Sequence, residues 1–594
     1  MRWVWEEILS FLSSHVVEPI SNLRENVNMK NVLYVPLDDR PVNLDDVIVQ
    51  GRSAGINVIT PSLSDITNRL DSQKTASGST LVSTSSPTYG NSTNIRQFIL
   101  NNAASVDGFI ISSDMLAYGG LIASRRLRTS AGGAYPAFDS ITTDLLDVIR
   151  LVKQSYPSKP IYVLDTIMRL ATTAFADGLS FNAYNESRTF MLQPRRSFSQ
   201  FADIITGYNL SPTGSYGSTT NFNKEQYYNT RQHKFKSNRY ILEQLAQAGY
   251  IDFLAIGVDD ANTQGVQINE INFVEGRINA WLGGTNGQNP DRAIVLPDAD
   301  GLGHALMARM ANQLYRNGVK PRYTVQYFGP HGSTITSQYE YMDVHQNILR
   351  HIDIVGGQSV SSSPTVEIIG ITDSAQVTAA VNRITANSTN RVPTVVIDFV
   401  GGGSANPTVT EGLLGSQHTG RILGYSAWNT PGNKIGIALG MGQARFAYLV
   451  TETDFTALST AVNAHGSLLF KRFLKDYYYK TIAIDEIRTY SRSNSLYTNV
   501  ATIADQNMLL FNSPADYSHL QNVLRNRMQT HKTTLSGKSA FLISGSGTSY
   551  DVRQITGGTW SFAGYANSTL AYGDPDYFWK RAFEVTLNPI VTLQ

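Results

Sequence analysis

In "VLYVPLDDRPVN" the acids Asp38 and Asp39 and the cation Arg40 stand directly behind the apolar run Val32–Pro36, with Asn43 three residues further on. The arrangement recurs along the chain. Ser113 and Asp114 follow "GFIIS", Asp165 and Arg169 stand in "IYVLDTIMR", and Asp259 and Asp260 in "FLAIGVDDANTQG". Asp298 and Asp300 stand in "AIVLPDADG", Asp398 ends "TVVID", and Trp428, Asn429, Thr430 and Asn433 lie in "GYSAWNTPGN". Carboxyl groups gathered in one place repel one another. They need arginine partners, a cation or raised pKa values, and Arg40 and Arg169 are available partners. A single Asp after a strand is ordinarily a helix cap or a turn residue. Repetition at so many run ends points instead to one polar pocket.

Such a set suits a carbohydrate-active hydrolase. Glycoside hydrolysis needs two carboxyl groups across the scissile bond, about 5 Å apart for retention or roughly 6.5–9.5 Å for inversion. One of them must keep its proton. Asp259 or Asp260 with Asp114 or Asp300 would supply the catalytic pair. Trp428, Tyr118 and Tyr425 would stack on a sugar face. Arg40, Asn429 and Asn433 would bind hydroxyls, and Asp38, Asp39, Asn43 and Arg169 complete the binding set. Neighbouring side chains on an extended segment point opposite ways, so one of Asp259 and Asp260 is expected to face the substrate. The expected partner is a glycan or another neutral polar ligand, with no cofactor.

Two alternatives differ in class. Asp-rich strand ends also suit a hydrolase or sugar transferase dependent on Mg²⁺ or Ca²⁺, which prefer oxygen ligands, and "DAD" at Asp298–Asp300 matches an Asp-x-Asp signature. Zinc is disfavoured, because the 10 histidines are scattered and no His-Glu-x-x-His occurs. The other alternative is a non-enzymatic assembly subunit on an enzyme-like scaffold.

The elements that must position these residues are short. Apolar runs recur at Val32–Pro36, Ile56–Thr60, Gly108–Ser112, Ile161–Asp165, Phe253–Gly257, Ala293–Pro297, Tyr323–Tyr327, Val366–Gly370, Thr394–Asp398 and Arg421–Tyr425. They are continuous rather than alternating, as in strands buried on both faces. Helical periodicity fills the gaps, as in "LGHALMARMANQLYRNG". The class is therefore α/β with a mostly parallel sheet, either a barrel-like (β/α)8 or two doubly wound halves. The strand carboxyl ends then share one face, where ligands bind. The polar stretch 179–236 is expected to put helical pieces over that face, and 72–94 reads as a surface loop. We divide the chain into an appended segment 1–28, an α/β region 29–330, a second α/β region 331–450 that completes the pocket, and a smaller C-terminal α+β cap 451–594.

Composition excludes several functions. Net charge is +1 and no basic stripe appears, so nucleic acid has no electrostatic handle. With 0 cysteines there is no disulfide, thiolate metal site or Cys nucleophile. Charged residues make up only 16%, and 30 tyrosines with many Ser, Thr and Asn take their place, a neutral polar surface that suits sugars or self-association. No apolar run approaches the roughly 20 residues of a membrane span. Trp5, Ile8, Leu9, Leu12 and Val16 recur at helical spacing, whereas Glu6 and Glu7 interrupt what would otherwise be the apolar core of a signal peptide. Residues 1–28 are thus expected to form an amphipathic helix that packs on the chain or mediates self-association. The setting, extracellular or cytoplasmic, stays open.

Four segments, "VLYVPLDDRPVN", "SSDMLAYGGLIASR", "GVDDANTQG" and "GYSAWNTPGNKIGIALG", together with the closing "YFWKRAFEVTLNP", resemble the bacterial family DUF4127, which has no assigned function. The resemblance covers nearly everything from Met29 onward. It implies that Asp38, Asp39, Arg40, Asp114, Asp259, Asp260, Trp428, Asn429 and Asn433 belong together, and it implies no reaction. Where the family's segment runs Gly-Ala-Asp-Glu this chain has "PDADGLG", with Gly301 in place of the acid.

Overall fold

Each of the ten apolar runs contains or overlaps a strand, and the strands form two open parallel sheets. The computed structural model describes residues 29–70, 87–174, 180–494, 509, 514–543 and 564–594. The first sheet holds β1 (Lys30–Val35), β2 (Ile56–Ile59), β3 (Gly108–Ser112), β4 (Ile161–Ile167), β5 (Phe253–Val258), β6 (Gln288–Asn289) and β7 (Ala293–Leu296), in the order β2-β1-β3-β4-β5-β7-β6. Only β6 runs antiparallel to its neighbour. The second holds β8 (Arg322–Phe328), β9 (Gln358–Ser359), β10 (Val366–Ile371), β11 (Thr394–Asp398) and β12 (Gly424–Ser426), in the order β12-β11-β10-β8-β9. Counted from its own first strand, the second sheet reads 2-1-3-4-5, and the first begins in that same doubly wound order before adding β7 and β6. Of the two expected architectures, then, the doubly wound halves form and the barrel does not.

The continuous apolar runs follow from burial on both faces. Every residue of β3, β4, β5, β7, β10 and β11 is buried. The sheets share one core. Val32, Leu164 and Phe253 of the first sheet join Tyr323, Val366 and Val395 of the second around the helices Leu302–Arg316 and Pro431–Leu449. The second of these helices is buried along almost its whole length, its polar residues Asn433, Lys434, Gln443 and Arg445 included. Its approach to the first is close. A Cβ on Gly440 would lie 2.6 Å from the carbonyl of His304, so glycine is required there.

The C-terminal part wraps this core. The helix Phe455–Phe473 runs on through a wider-wound stretch, Leu474–Ala483, into Ile484–Asn494. The tyrosines Tyr477, Tyr478 and Tyr479 of that stretch are buried packing residues. Two antiparallel pairs follow, β13 (Tyr565–Thr569) with β16 (Ile590–Leu593), and β14 (Asp576–Phe578) with β15 (Arg581–Thr586). The polar stretch after residue 179 does carry helices, Phe181–Met191, Phe201–Thr206 and Lys224–Tyr240. Residues 1–28, most of the expected loop 72–94 and the tail segment 544–563 lie outside the described residues. No described helix is long and apolar enough to cross a membrane.

One buried ion cluster fastens the C-terminal part to the first sheet. Asp46, in the first turn of the helix Asp45–Ser53, accepts from Arg472 Nη2 at 2.8 Å and pairs with Lys471. Burial alone would raise its pKa, but Lys471 and Arg472 reverse this and hold it well below the usual carboxylate range. Asp46→Ala removes the carboxylate that both Lys471 and Arg472 pair with. It is expected to cost about 3–5 kcal/mol in urea unfolding. A cost under about 1 kcal/mol would show that the clasp carries little.

Candidate active site

The strand ends of the first sheet, the β12 segment and the β14–β15 hairpin enclose a cavity of about 340 Å³. Arg40 comes from the turn after β1, Arg125 from the segment after β3, Arg169 from the end of β4, and Asp259 and Asp260 from the end of β5. Asp298 and Asp300 follow β7, and Asn429, Thr430 and Asn433 follow β12. Tyr339 and Glu340 arrive from the loop between β8 and the helix Val344–Ile354. The hairpin brings Phe578, Trp579, Arg581, Phe583 and Glu584.

Most of the acids are held by guanidinium groups. Arg40 bridges two of them. Its Nε and Nη2 donate to Asp38 at 2.8–3.1 Å, while Nη2 and Nη1 donate to Asp300 at 2.5 and 3.2 Å. Asn43 Nδ2 ties the same two carboxylates together at 2.8 and 3.1 Å. Burial works against the charge on Arg40, but Asp300, Asp38 and Glu584 outweigh it and hold its pKa above the ordinary value. Asp259 pairs with Arg125, and Asp260 with Arg169 at 3.4 Å. Burial pushes Asp300 up to about 6 although Arg40 pulls the other way.

Two acids have no cation within ion-pair distance among the described residues. Asp39 accepts from the amide of Asn68 at 3.1 Å and from the indole N–H of Trp579 at 3.2 Å. Burial, with the charge of Asp38 beside it, pushes it up to about 8. Glu340 accepts from the amide of Gly432 at 2.5 Å and from Asn347 Nδ2 at 3.4 Å. Burial likewise pushes Glu340 up to about 8. At neutral pH the cavity therefore holds a protonated carboxyl, Glu340, alongside the ionised Asp300.

The candidate residues divide into three groups. Asp259, Asp260, Asp300, Arg40, Arg169, Asn429 and Asn433 line the cavity. Asp38, Asp39 and Asn43 lie behind it and hold Arg40, Asp300 and Trp579 in place. The rest stand elsewhere. Asp114 is buried against Lys234 at 3.1 Å and Thr166 Oγ1 at 2.9 Å, in a network completed by Asp165. Tyr118 meets His233 Nδ1 at 3.1 Å. Trp428 is fully buried beside Val42, Ile437 and Phe583, and Tyr425 stacks on Phe473 at 4.0 Å between ring centroids. Asp398 caps the amides of Val400, Gly401 and Asn406. Asp114 and Trp428 are thus removed from the cavity by the very burial that strand-end packing imposes, while the half-buried Tyr118 is engaged with His233 instead.

Both members of the Asp259–Asp260 pair reach the cavity, against the expectation of one. The alternation rule holds for extended backbone, and Asp260 leaves it, with φ at +37°. Asn429 and Trp579, also cavity residues, have φ of +68° and +52°. Backbone held in this sparsely populated region by residues other than glycine concentrates at functional sites. Sequence reading missed Glu340, Arg125 and the hairpin residues. Glu340 sits in a loop, in "QYEYMD", with no apolar run before it. The hairpin lies in the closing "YFWKRAFEVTLNP", a segment whose chemistry has no strand-end signature. Among the described residues no three His, Asp or Glu groups converge as metal ligands would.

A family model described as "Protein of unknown function (DUF4127)" matches residues 32–588. The chain belongs to that family. No curated protein matches it.

Gly301 bears on how the chain departs from the family pattern. A Cβ there would lie 2.4 Å from Asp298 Oδ2 and 2.8 Å from the Cα of Gly436. Asp298 is itself fixed, accepting from the Gly301 amide at 2.9 Å and meeting His351 Nε2 at 2.8 Å. No side chain fits at 301 without displacing that carboxylate and the neighbouring helix. Gly301→Ala is therefore expected to destabilise the fold by about 1–3 kcal/mol in chemical denaturation. An alanine variant as stable as the parent would contradict this packing.

Proposed function

We propose that this DUF4127 chain hydrolyses a glycosidic bond, with Glu340 as proton donor and Asp300 as the carboxylate that works against it. One observation carries the reading. Two carboxyl groups line one cavity, and burial raises both but unequally, Glu340 to about 8 and Asp300 only to about 6, so that neutral pH falls between them. Such a separation assigns the acid and base roles of a two-carboxyl site.

The chemistry follows from these roles. Glu340 gives its proton to the glycosidic oxygen as the bond from that oxygen to the anomeric carbon breaks. Positive charge develops on the sugar ring. Asp300, kept ionised by Arg40 and Asn43, stabilises that charge and delivers the carboxylate or the activated water that completes the displacement. Trp579, Tyr184 and Tyr339 offer aromatic faces to sugar C–H groups, and Asn429 and Asn433 offer amides to hydroxyls. The cavity volume lies at the lower end of small-ligand sites, which suits one sugar residue with part of its neighbour.

The pH dependence has a definite sign. Asp300 must be ionised, so turnover falls as pH drops through about 6. Glu340 must be protonated, so turnover falls again as pH rises through about 8. On an aryl-glycoside panel we expect a bell between these limits. Glu340→Gln is expected to lower kcat by roughly 10²–10⁴-fold and to remove the alkaline limb. Turnover by Glu340→Gln at the parental rate would sink the assignment.

A further inference from the structure

One cation of the cavity stands without a carboxylate partner. Arg40, Arg125 and Arg169 each face a carboxylate, but Arg581 has no carboxylate within ion-pair distance among the described residues. Its Nη2 donates to the carbonyl of Ala174 at 3.2 Å, and its Nε is buried with no partner. Arg169 is also underused. Its guanidinium lies over the ring of Tyr184 at 5.3 Å, its one ion pair is the 3.4 Å contact to Asp260, and its Nε too is buried with no partner. Trp579 and Lys580, both at φ of +52°, form the strained turn that directs Arg581 into the cavity. Such a turn persists only where surrounding structure enforces it.

We infer that Arg581, with Arg169 beside it, is the seat of a carboxylate on the ligand, so that the sugar bound in this cavity is a uronic acid residue. The inference rests on the glycosidase reading and replaces a neutral ligand by an acidic one. A guanidinium presents parallel N–H donors that match a carboxylate fork. Burial lowers the pKa of Arg581 to about 10, and the charges of Arg169 and Arg40 add to the effect. It stays protonated at neutral pH, and an anion placed against it relieves the repulsion among the three arginines. The surroundings favour a monoanion. Arg581 offers one unpaired guanidinium, and the carboxylates of Asp259, Asp260, Asp298, Asp300 and Glu584 around the same cavity penalise a dianionic phosphate.

The test is calorimetric, on the full chain. D-glucuronate and D-galacturonate are titrated against D-glucose, D-galactose and glucose 6-phosphate. At least one uronate is expected to bind roughly tenfold or more tightly than its neutral counterpart. Arg581→Gln is expected to weaken that uronate roughly 30-fold and to leave the neutral sugars unchanged, and Arg581→Lys is expected to recover part of the loss. Unliganded melting temperatures check that the variants fold, and Arg169→Gln serves as a second probe if Arg581→Gln does not. Uronates that bind no better than neutral sugars, a preference for the phosphate, or full uronate affinity in folded Arg581→Gln would each overturn the inference. Turnover is read separately on aryl glucuronides and aryl glucosides. Arginine-dependent uronate binding without cleavage of any glycoside would leave this inference standing and remove the hydrolytic reading. Cleavage of neutral glycosides alone would do the reverse.

Discussion

A carboxylate taken out of water must be matched by a cation or keep its proton, and the architecture of this protein turns on that constraint. Doubly wound sheets bring strand carboxyl ends to one face, and this chain loads that face with acids. Arg40 answers for Asp38 and Asp300, Arg125 for Asp259, and Arg169 for Asp260. The same rule governs the layer below, where Lys234 lies between Asp114 and Asp165, and the clasp where Lys471 and Arg472 meet Asp46. Apart from Asp38 with Arg40, each pairing joins segments far apart in the chain. Removing either partner leaves an uncompensated charge in a poor dielectric, which costs far more than the intact pair contributes.

The chemical interest lies where the matching is incomplete. Among the described residues Glu340 has no cation and Arg581 no carboxylate within ion-pair distance. In the proposed reading one donates the proton and the other receives the anion, and both line the same cavity. Neither belongs to the two parallel sheets. Glu340 comes from the loop after β8, and Arg581 begins β15 in the C-terminal hairpin. The sheets supply a floor of paired charges, while segments outside them supply the two unpaired groups. This division is common in α/β proteins, where loops carry function on a scaffold fixed by packing.

Legibility from sequence followed the same division. The strands could be read because burial on both faces leaves a continuous apolar run, and the acids behind them because each terminates such a run. What could not be read was which acids stay near solvent. Asp114 and Asp259 have the same local signature, yet Asp114 meets Lys234, which arrives from the helix Lys224–Tyr240, and is sealed beneath the floor. The side-chain direction of Asp260 depended on a positive φ that no pattern of neighbours announced. Glu340 and the hairpin were invisible as chemistry because their roles come from long-range placement. The division into two parallel sheets was also underdetermined, since strand count alone does not separate one barrel from two open sheets.

The protonation state of Glu340 is the most exposed point of this account. Isotope-edited infrared spectroscopy on protein labelled with ¹³C at glutamate carboxyls, differenced against Glu340→Gln, reads the titration of that one group. The account predicts a midpoint near 8, where burial without a cation places it. A midpoint near 4.5, the ordinary glutamate value, would contradict the account.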